Sequence, residues 1–555
     1  MSDELLVQAA VLGPAVSGAV WLVLALVRWP WVRRTGGGLT ALAGHTAAWA
    51  VLWQAYRGGP PAWRSFEPDL LGASVAVAAE VAVLLAAVRA DPLGRRWAPA
   101  AVCGLAVAAS AVVGTAYAQS LAVQAVLLPI PTLAAAAAAL TGGTRPDLRG
   151  LLGLAGADVV GLVGLSVIFA RAGTTTASSE AGVLGGALVV AAGAVKAGAV
   201  PGLGTWRLAS TDGPGAPVTA ALRGQGVALA VLGGITIAAG EPLSLVVGLA
   251  ATAVLVAGAA SVAGRGSRGA AAAISGASAG LLFVALGLGG AVGIRAALVL
   301  FPAFLLGAGA AFLLTWERRP DDELPSTTPE PRKVWRWMGS AVAAVVLLSL
   351  TGLPPGGGFP GAWLTLSLTG ARGLVTAPYF LAAGAVGLGL CLAALGGIPV
   401  VRAARTRVLP ALIGVVVAGV LLYMGLQPVR LGIGWWLRIE RQLAVPEVLA
   451  ASGAPDLPPV GGLNLAVVLA EAVLLVGAVV VLGRGFRDVR TPFVAISRPR
   501  PGPFVRVDRT VRSVKDRLGR LGTRRVGPIA AAVVEAVAIG LAVRLVVVTS
   551  QAGFL

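Results

Sequence analysis

Apolar runs of about twenty residues recur along nearly the whole chain, separated by short polar connectors rich in Arg, Pro and Gly, and a run of that length spans a bilayer as a helix. Reading windows of spanning length predicts helices over 5–28, 38–56, 69–89, 97–117, 119–141, 149–171, 182–203, 216–239, 242–263, 268–289, 291–316, 334–353, 361–400, 405–426, 462–483 and 527–549. That makes about sixteen spans. Barrel strands would give short alternating segments instead, so the pattern predicts an all-α polytopic transmembrane helix bundle. Two helices are expected to be broken, near 196–206 and near 352–362, because Pro201 and the pair Pro354 and Pro355 interrupt apolar runs, and Pro214 and Pro217 follow the first break. The expected organisation is N-terminal transmembrane helices over 1–97, a core over 98–400, C-terminal helices over 401–483, a basic segment over 484–526 and a final helix over 527–555.

Composition agrees with the pattern and removes whole classes of function. The chain is 57% hydrophobic and only 12% charged, about half the charged share of a soluble domain. This excludes a soluble enzyme, a DNA-binding domain and a disulfide scaffold. Its net charge of +19 would suggest nucleic acid in a soluble protein. Here the arginines sit between apolar runs: Arg28, Arg33 and Arg34; Arg89, Arg95 and Arg96; Arg145 and Arg149; Arg265 and Arg268; Arg402, Arg405 and Arg407; and the stretch 484–525 all follow odd-numbered helices. The positive-inside rule places those ends in the cytoplasm of a multi-pass cell-membrane protein and both termini outside it. No nucleic-acid partner is expected, and the bilayer itself is the first partner. The acidic start, Asp3 and Glu4, is unlike a basic signal peptide, so the first run is expected to be retained.

Two cysteines, Cys103 and Cys391, each inside an apolar run, give neither a disulfide framework nor a metal site, and no metal or cofactor is expected. The Pro- and charge-rich stretch 317–333 reads as a connecting loop. Over 504–521, Val507, Val511, Val514, Leu518 and Leu521 share one helical face while Arg506, Arg509, Arg512, Lys515 and Arg520 occupy others. Such a helix lies on a membrane surface or against partner subunits, unless it is only a charged tether.

Ionisable residues inside spans are expensive, and each is a functional candidate by default. They are Glu80, Asp158, Lys196, Arg223, Glu471, Glu535 and Arg544, with His45 as the only histidine. Lys196 is the most informative. Only Lys196, Lys333 and Lys515 are lysines among 43 basic residues, so wherever a fixed positive charge suffices the sequence uses Arg. A desolvated Lys can give up its proton and an Arg essentially cannot, which suits Lys196 to a group that alternates protonation states. The bland alternative is a structural ion pair. Pro201, five residues on, frees backbone carbonyls at membrane depth, which is tolerated beside a hydrated cavity or packed protein.

From Lys196 onward the chain resembles the antiporter-like subunits of respiratory complex I, of multi-subunit Na+/H+ antiporters and of membrane-bound hydrogenases. The family pattern is a Lys, then Pro-x-His-x-Trp-Leu-Pro, then Gly-Pro-Thr-Pro-Val-Ser-Ala-Leu-x-His. This sequence keeps Lys196, Pro201, Trp206, Gly213, Pro214, Pro217, Val218, Ala220 and Leu222. Gly156 to Gly161 around Asp158 is similar to the family's Gly-Asp helix start, Arg268 with 272–280 matches a further segment, and Thr351 to Phe359 resembles its Gly-x-Pro-Pro-x-x-Gly-Phe break. The resemblance covers roughly 100–370, and the span number is most like that of the largest such subunit, although the lateral helix there is much longer.

What the resemblance implies is proton translocation within a complex I-related, hydrogenase or cation/proton antiporter assembly. The partners would be other membrane subunits and protons, or Na+, and the chain would have no catalytic chemistry of its own, as one subunit of a redox-driven translocase. It implies a proton pathway through Lys196, with Arg223, Asp158 and Glu80 as charged neighbours and Gln124 where the family has a Glu. The departures are substantial. Gly204 and Arg223 replace the two loop histidines, apolar residues around Ala297 and Phe301 replace a His and a Lys, and the thirteenth segment has no Lys or Glu between Arg372 and Arg402. Gln124 cannot exchange a proton, and a fixed Arg223 beside Lys196 would favour the neutral amine. Two other readings therefore stand beside the first: a non-transporting membrane scaffold, and a membrane partner of anion or inorganic-carbon uptake that uses Arg223 as its anion site.

Overall fold

A computed structural model describes most of residues 3–365 and residues 408–426; the longest stretches it leaves out are 238–266, apart from Ala250, then 316–332, 366–407 and 427–555. The chain divides into two units, 1–482 and 483–555, and every described residue lies in the first. The spans predicted over 242–263, 361–400, 462–483 and 527–549, and the amphipathic segment 504–521, fall wholly or almost wholly outside the described residues.

The described residues are almost entirely helical and contain no strand. In chain order the helices are α1 (Asp3–Leu26), α2 (Pro30–Arg57), α3 (Leu70–Ala90), α4 (Ala98–Tyr117), α5 (Leu121–Leu127), α6 (Ile130–Thr141), α7 (Leu148–Ala172), α8 (Val183–Ala197), α9 (Gly204–Ala209), α10 (Thr219–Ile237), α11 (Ser267–Leu288), α12 (Gly290–Thr315), α13 (Lys333–Leu350) and α14 (Val408–Leu426). Among them, apolar stretches within α1, α5 with α6, α7, α11 and α12 are long and apolar enough to cross a membrane. Helix α2 starts eight residues before the predicted 38: Pro30 can serve as a first helical residue, and the helix continues through Gly36, Gly37 and Gly38.

Burial is arranged for a bilayer. Leu5, Leu12 and Val16 on α1, Trp49 and Trp53 on α2, Leu152, Val159 and Val163 on α7, and Val416 and Tyr423 on α14 are all exposed. Apolar side chains facing outward in such numbers are stable against lipid or against other apolar protein surfaces. The interior is built around α11, whose segment 271–288 is buried throughout, and α12.

Lipid gives apolar faces no reason to seek each other, so small residues that let backbones touch decide which helices close. A side chain at Gly193 of α8 would collide with the Gly226 carbonyl of α10, at 2.7 Å from its Cβ, and one at Gly161 of α7 would strike Leu128 and Ala192. These contacts join α7, α8 and α10 at mid-bundle.

Two predicted breaks are present in the chain trace. Helix α8 stops at Ala197, and the link to α9 runs through Gly198, Gly202 and Gly204 at φ of 84°, 77° and 50°, a region that residues with a Cβ rarely enter. After α13 the chain turns through 351–358, with Gly352 at φ 69°, and resumes as helix from Phe359. A third break interrupts the single helix predicted over 119–141. The helical hydrogen-bond ladder is interrupted at 128–129 between α5 and α6, where Pro129 and Pro131 both lack the N–H that a continuous helix needs, although Leu128 keeps helical dihedrals.

Candidate functional site

Lys196 occupies the last turn of α8, fully buried. Its ammonium donates to the Leu128 carbonyl at 2.6 Å and to Gln225 Oε1 at 2.6 Å, and its Nζ lies 2.6 Å from Asp158 Oδ1 of α7. Three oxygens from three elements thus surround an ammonium that has three protons to give. The contact with Asp158 is an ion pair. Thr132 of α6 faces the same carboxylate.

Each partner arrives for a local reason. Asp158 stands one turn before Gly161, whose missing side chain brings α7 against Leu128 and Ala192, one turn before Lys196. Gln225 neighbours Gly226, the point where α10 meets Ala197. The Leu128 carbonyl belongs to the turn between α5 and α6. The Leu127 carbonyl has no helical donor, because residue 131 is proline, and it accepts Gln225 Nε2 at 3.1 Å. The same Nε2 lies 3.3 Å from Thr115 Oγ1 of α4, and the Thr115 hydroxyl donates to the Ala111 carbonyl at 2.7 Å. One amide therefore uses its oxygen on Lys196 and its nitrogen on α4 and α5.

The remaining sequence candidates lie elsewhere. Gln124 is buried in α5, and its Nε2 donates to the Ala118 carbonyl at 2.7 Å while its Oε1 has no hydrogen-bond partner. Arg223, two residues from Gln225, faces Ala82 of α3 and Leu305, Gly309 and Phe312 of α12 in a cleft too tight for a water molecule. Its Nε is buried without a hydrogen-bond partner, as is Glu80 Oε1 of α3. The structure brings Lys196 together with Asp158 and not with Arg223, Glu80 or Gln124. His45 accepts a hydrogen bond from Trp49 Nε1 one turn along α2, at 2.7 Å.

Of the proline candidates, Pro201 lies in the link from α8 to α9, Pro217 in the turn that starts α10, and Pro355 in the turn after α13; Pro214 and Pro354 are outside the described residues. Trp206 of α9 seats against Gly276 of α11, and Arg207 pairs with Asp147 before α7 at 2.7 Å, so the broken segment is anchored at both faces. No group of three or more His, Cys, Asp or Glu side chains that could hold a metal occurs among the described residues. Sequence reasoning did not single out Gln225, Thr115 or the Leu127 and Leu128 carbonyls. The available signals were a lone Gln among small residues in α10 and the close pair Pro129 and Pro131.

Residues 150–389 match the family described as NADH:quinone oxidoreductase/Mrp antiporter, TM, a span that contains Asp158, Lys196 and Gln225. Among proteins of curated function, none matches the sequence significantly. The fold is similar to that of a chain in an archaeal membrane-bound sulfane sulfur reductase, at 17% identity and a TM-score of 0.61, covering 92% of this chain and 99% of that one. It is similar to a chain of the Mrp complex from Dietzia sp. DQ12-45-1b, at 17% identity and a TM-score of 0.66, covering 98% of this chain and 63% of that one. A chain of respiratory complex I from Thermus thermophilus shares it too, at 20% identity and a TM-score of 0.57, covering 76% of this chain and 97% of that one. Over its residues 150–389 this chain is thus similar to the antiporter-like membrane subunits of the NADH:quinone oxidoreductase/Mrp antiporter family.

Proposed function

We propose that the chain translocates protons as an antiporter-like subunit of a multi-subunit membrane complex, with Lys196 as the group that takes up and releases the proton. One observation carries the reading: a lone buried lysine, where the chain otherwise uses arginine, ends a broken helix with a counter-charge, a carbonyl and an amide all on its ammonium. A permanent charge would need no such choice of residue.

In this reading Asp158 holds the charged form of Lys196, and movement of α7 relative to α8, driven from a neighbouring subunit, withdraws the counter-charge so that the proton leaves. The link through Gly198, Gly202 and Gly204 supplies a backbone able to absorb such a movement. The energy would come from a reaction on partner subunits, and the arginine pattern supports extracytoplasmic termini. The tight cleft around Arg223 favours proton handling over anion uptake, because an anion needs room beside its guanidinium.

The test is proton flux in proteoliposomes that contain the purified assembly under its own driving reaction. Lys196→Met in a fully assembled complex is expected to abolish the share of flux carried by this subunit. Unchanged flux would leave the scaffold reading in its place.

A further inference from the structure

Gln225 is held by more than its contact with the lysine. Its Nε2 lies 3.1 Å from the Leu127 carbonyl and 3.3 Å from Thr115 Oγ1. Neither of these oxygens has a proton to offer the amide: a carbonyl only accepts, and the Thr115 hydroxyl gives its one proton to the Ala111 carbonyl at 2.7 Å. Turning the amide over would set Oε1 against two acceptors and Nε2 against an ammonium that only donates. One of the two amide orientations is therefore satisfied and the other is not, and in the satisfied one an oxygen faces Lys196 Nζ at 2.6 Å. Gln225 is fully buried, so the wrong orientation has no solvent to turn to.

The orientation originates in the main chain. In an unbroken helix the N–H of residue 131 would donate to the carbonyl of residue 127; Pro131 has none, and the Leu127 oxygen is left to the amide. Gln124, the α5 side chain at the position where the resemblance expects a Glu, donates to the Ala118 carbonyl and takes no part. The corner between α5 and α6 thus acts on the ammonium through main-chain oxygens, that of Leu128 directly and that of Leu127 by way of Gln225. Among the described residues, the charged side chain that meets Nζ is Asp158 of α7. On the other elements packed against α8, Arg223 of α10 faces α3 and α12, and Arg207 of α9 pairs with Asp147.

We propose that Gln225 is a positioning residue that favours the charged form of Lys196, and that Pro131 sets it by leaving the Leu127 carbonyl free to orient the amide. The inference rests on the proton-handling reading of Lys196. A neutral amine has two protons and a lone pair, so among three acceptors one contact turns from attraction to repulsion. An amide oxygen that cannot turn away makes loss of the proton harder, as the Asp158 charge does. The two supports differ in kind. The hold of Asp158 changes when α7 moves or a nearby charge appears, whereas the uncharged amide, fixed from α4 and α5, gives a constant contribution on which that change is superimposed.

The readout is the pH dependence of the Lys196-dependent share of proton flux, taken as the difference from Lys196→Met, in vesicles that contain the assembled complex under its own driving reaction. That share falls at alkaline pH, where Lys196 no longer takes up a proton, so a weaker hold on the ammonium moves the midpoint to lower pH. Gln225→Met, an apolar side chain of the same length, should lower the midpoint by about one pH unit, since a hydrogen bond to a charged group is lost. Pro131→Ala changes no side chain that touches the lysine, yet it gives the Leu127 carbonyl a helical donor. It should lower the midpoint by a smaller amount and add nothing further in Gln225→Met. It also places a better helix former in α6, so it serves as the test if Gln225→Met does not assemble. A midpoint that stays put in either assembled variant, or a Pro131→Ala shift that persists undiminished in Gln225→Met, overturns the role of the amide and leaves the proton reading intact. Flux that does not depend on Lys196 at any pH overturns both.

Discussion

Helix α10 carries two buried polar side chains two residues apart, and they meet opposite fates. Gln225 faces α8 and uses both ends of its amide, on Lys196, Leu127 and Thr115. Arg223 faces α3 and α12, where its Nε has no acceptor and no water-sized space adjoins it. Two residues on a helix are about 200° apart, so one turn of chain presents a satisfied polar network on one side and a poorly satisfied charge on the other. Burial alone therefore does not mark a working site. The mark is that donors, acceptors and counter-charge are matched in number, because a low-dielectric interior rewards a complete network and penalises a partial one.

The comparison breaks first at the ion pair. Removing the cation in Lys196→Met strands Asp158 and is expected to cost about 3–5 kcal/mol of stability, seen as a lowered thermal midpoint of the purified complex. Adding Asp158→Leu should recover much of that loss, whereas additive losses would mean that the two residues do not act as a pair. Next comes Gln225→Leu, which leaves Lys196 with two acceptors and should cost about 1.5–3 kcal/mol, since it removes a hydrogen bond to a charged group. On the other side of α10, Arg223→Met should change stability by under about 1 kcal/mol in either direction, because an apolar chain of similar length replaces a charge that lacks a full set of partners. A large loss there would place a partner for Arg223 outside the described residues. The smallest effect, within about 0.5 kcal/mol, is expected for His45→Gln, whose hydrogen bond to Trp49 stays within α2 at its exposed side.

Sequence pattern made the membrane bundle legible because twenty-residue apolar runs have no other stable use, and the rarity of lysine made Lys196 legible as chemistry. What stayed hidden was the register between helices. Asp158 and Lys196 lie 38 positions apart on two helices, and only the glycine contacts at 161 and 193 determine that they meet. For the same reason the expectation of Arg223 beside Lys196 does not match the structure: the sequence places it near in number, while the approach of Gly226 to Ala197 turns residue 225 inward instead. The break at 128–129 is not legible because two prolines, at 129 and 131 in the middle of a long apolar run, interrupt hydrogen bonding without interrupting hydropathy.

Two of the oxygens in the site, those of Leu127 and Leu128, belong to the main chain. Any residue placed at either position would present the same atom, so the leucine side chains record packing against Gly161 and Gly114 and carry no mark of the oxygens beside them. The vulnerable positions are instead Pro129 and Pro131, which touch no proton and accept no bond from the lysine. A lineage could lose the pathway by restoring an ordinary residue at 131, as the helix healed and reclaimed its carbonyl, with every charged side chain still in place.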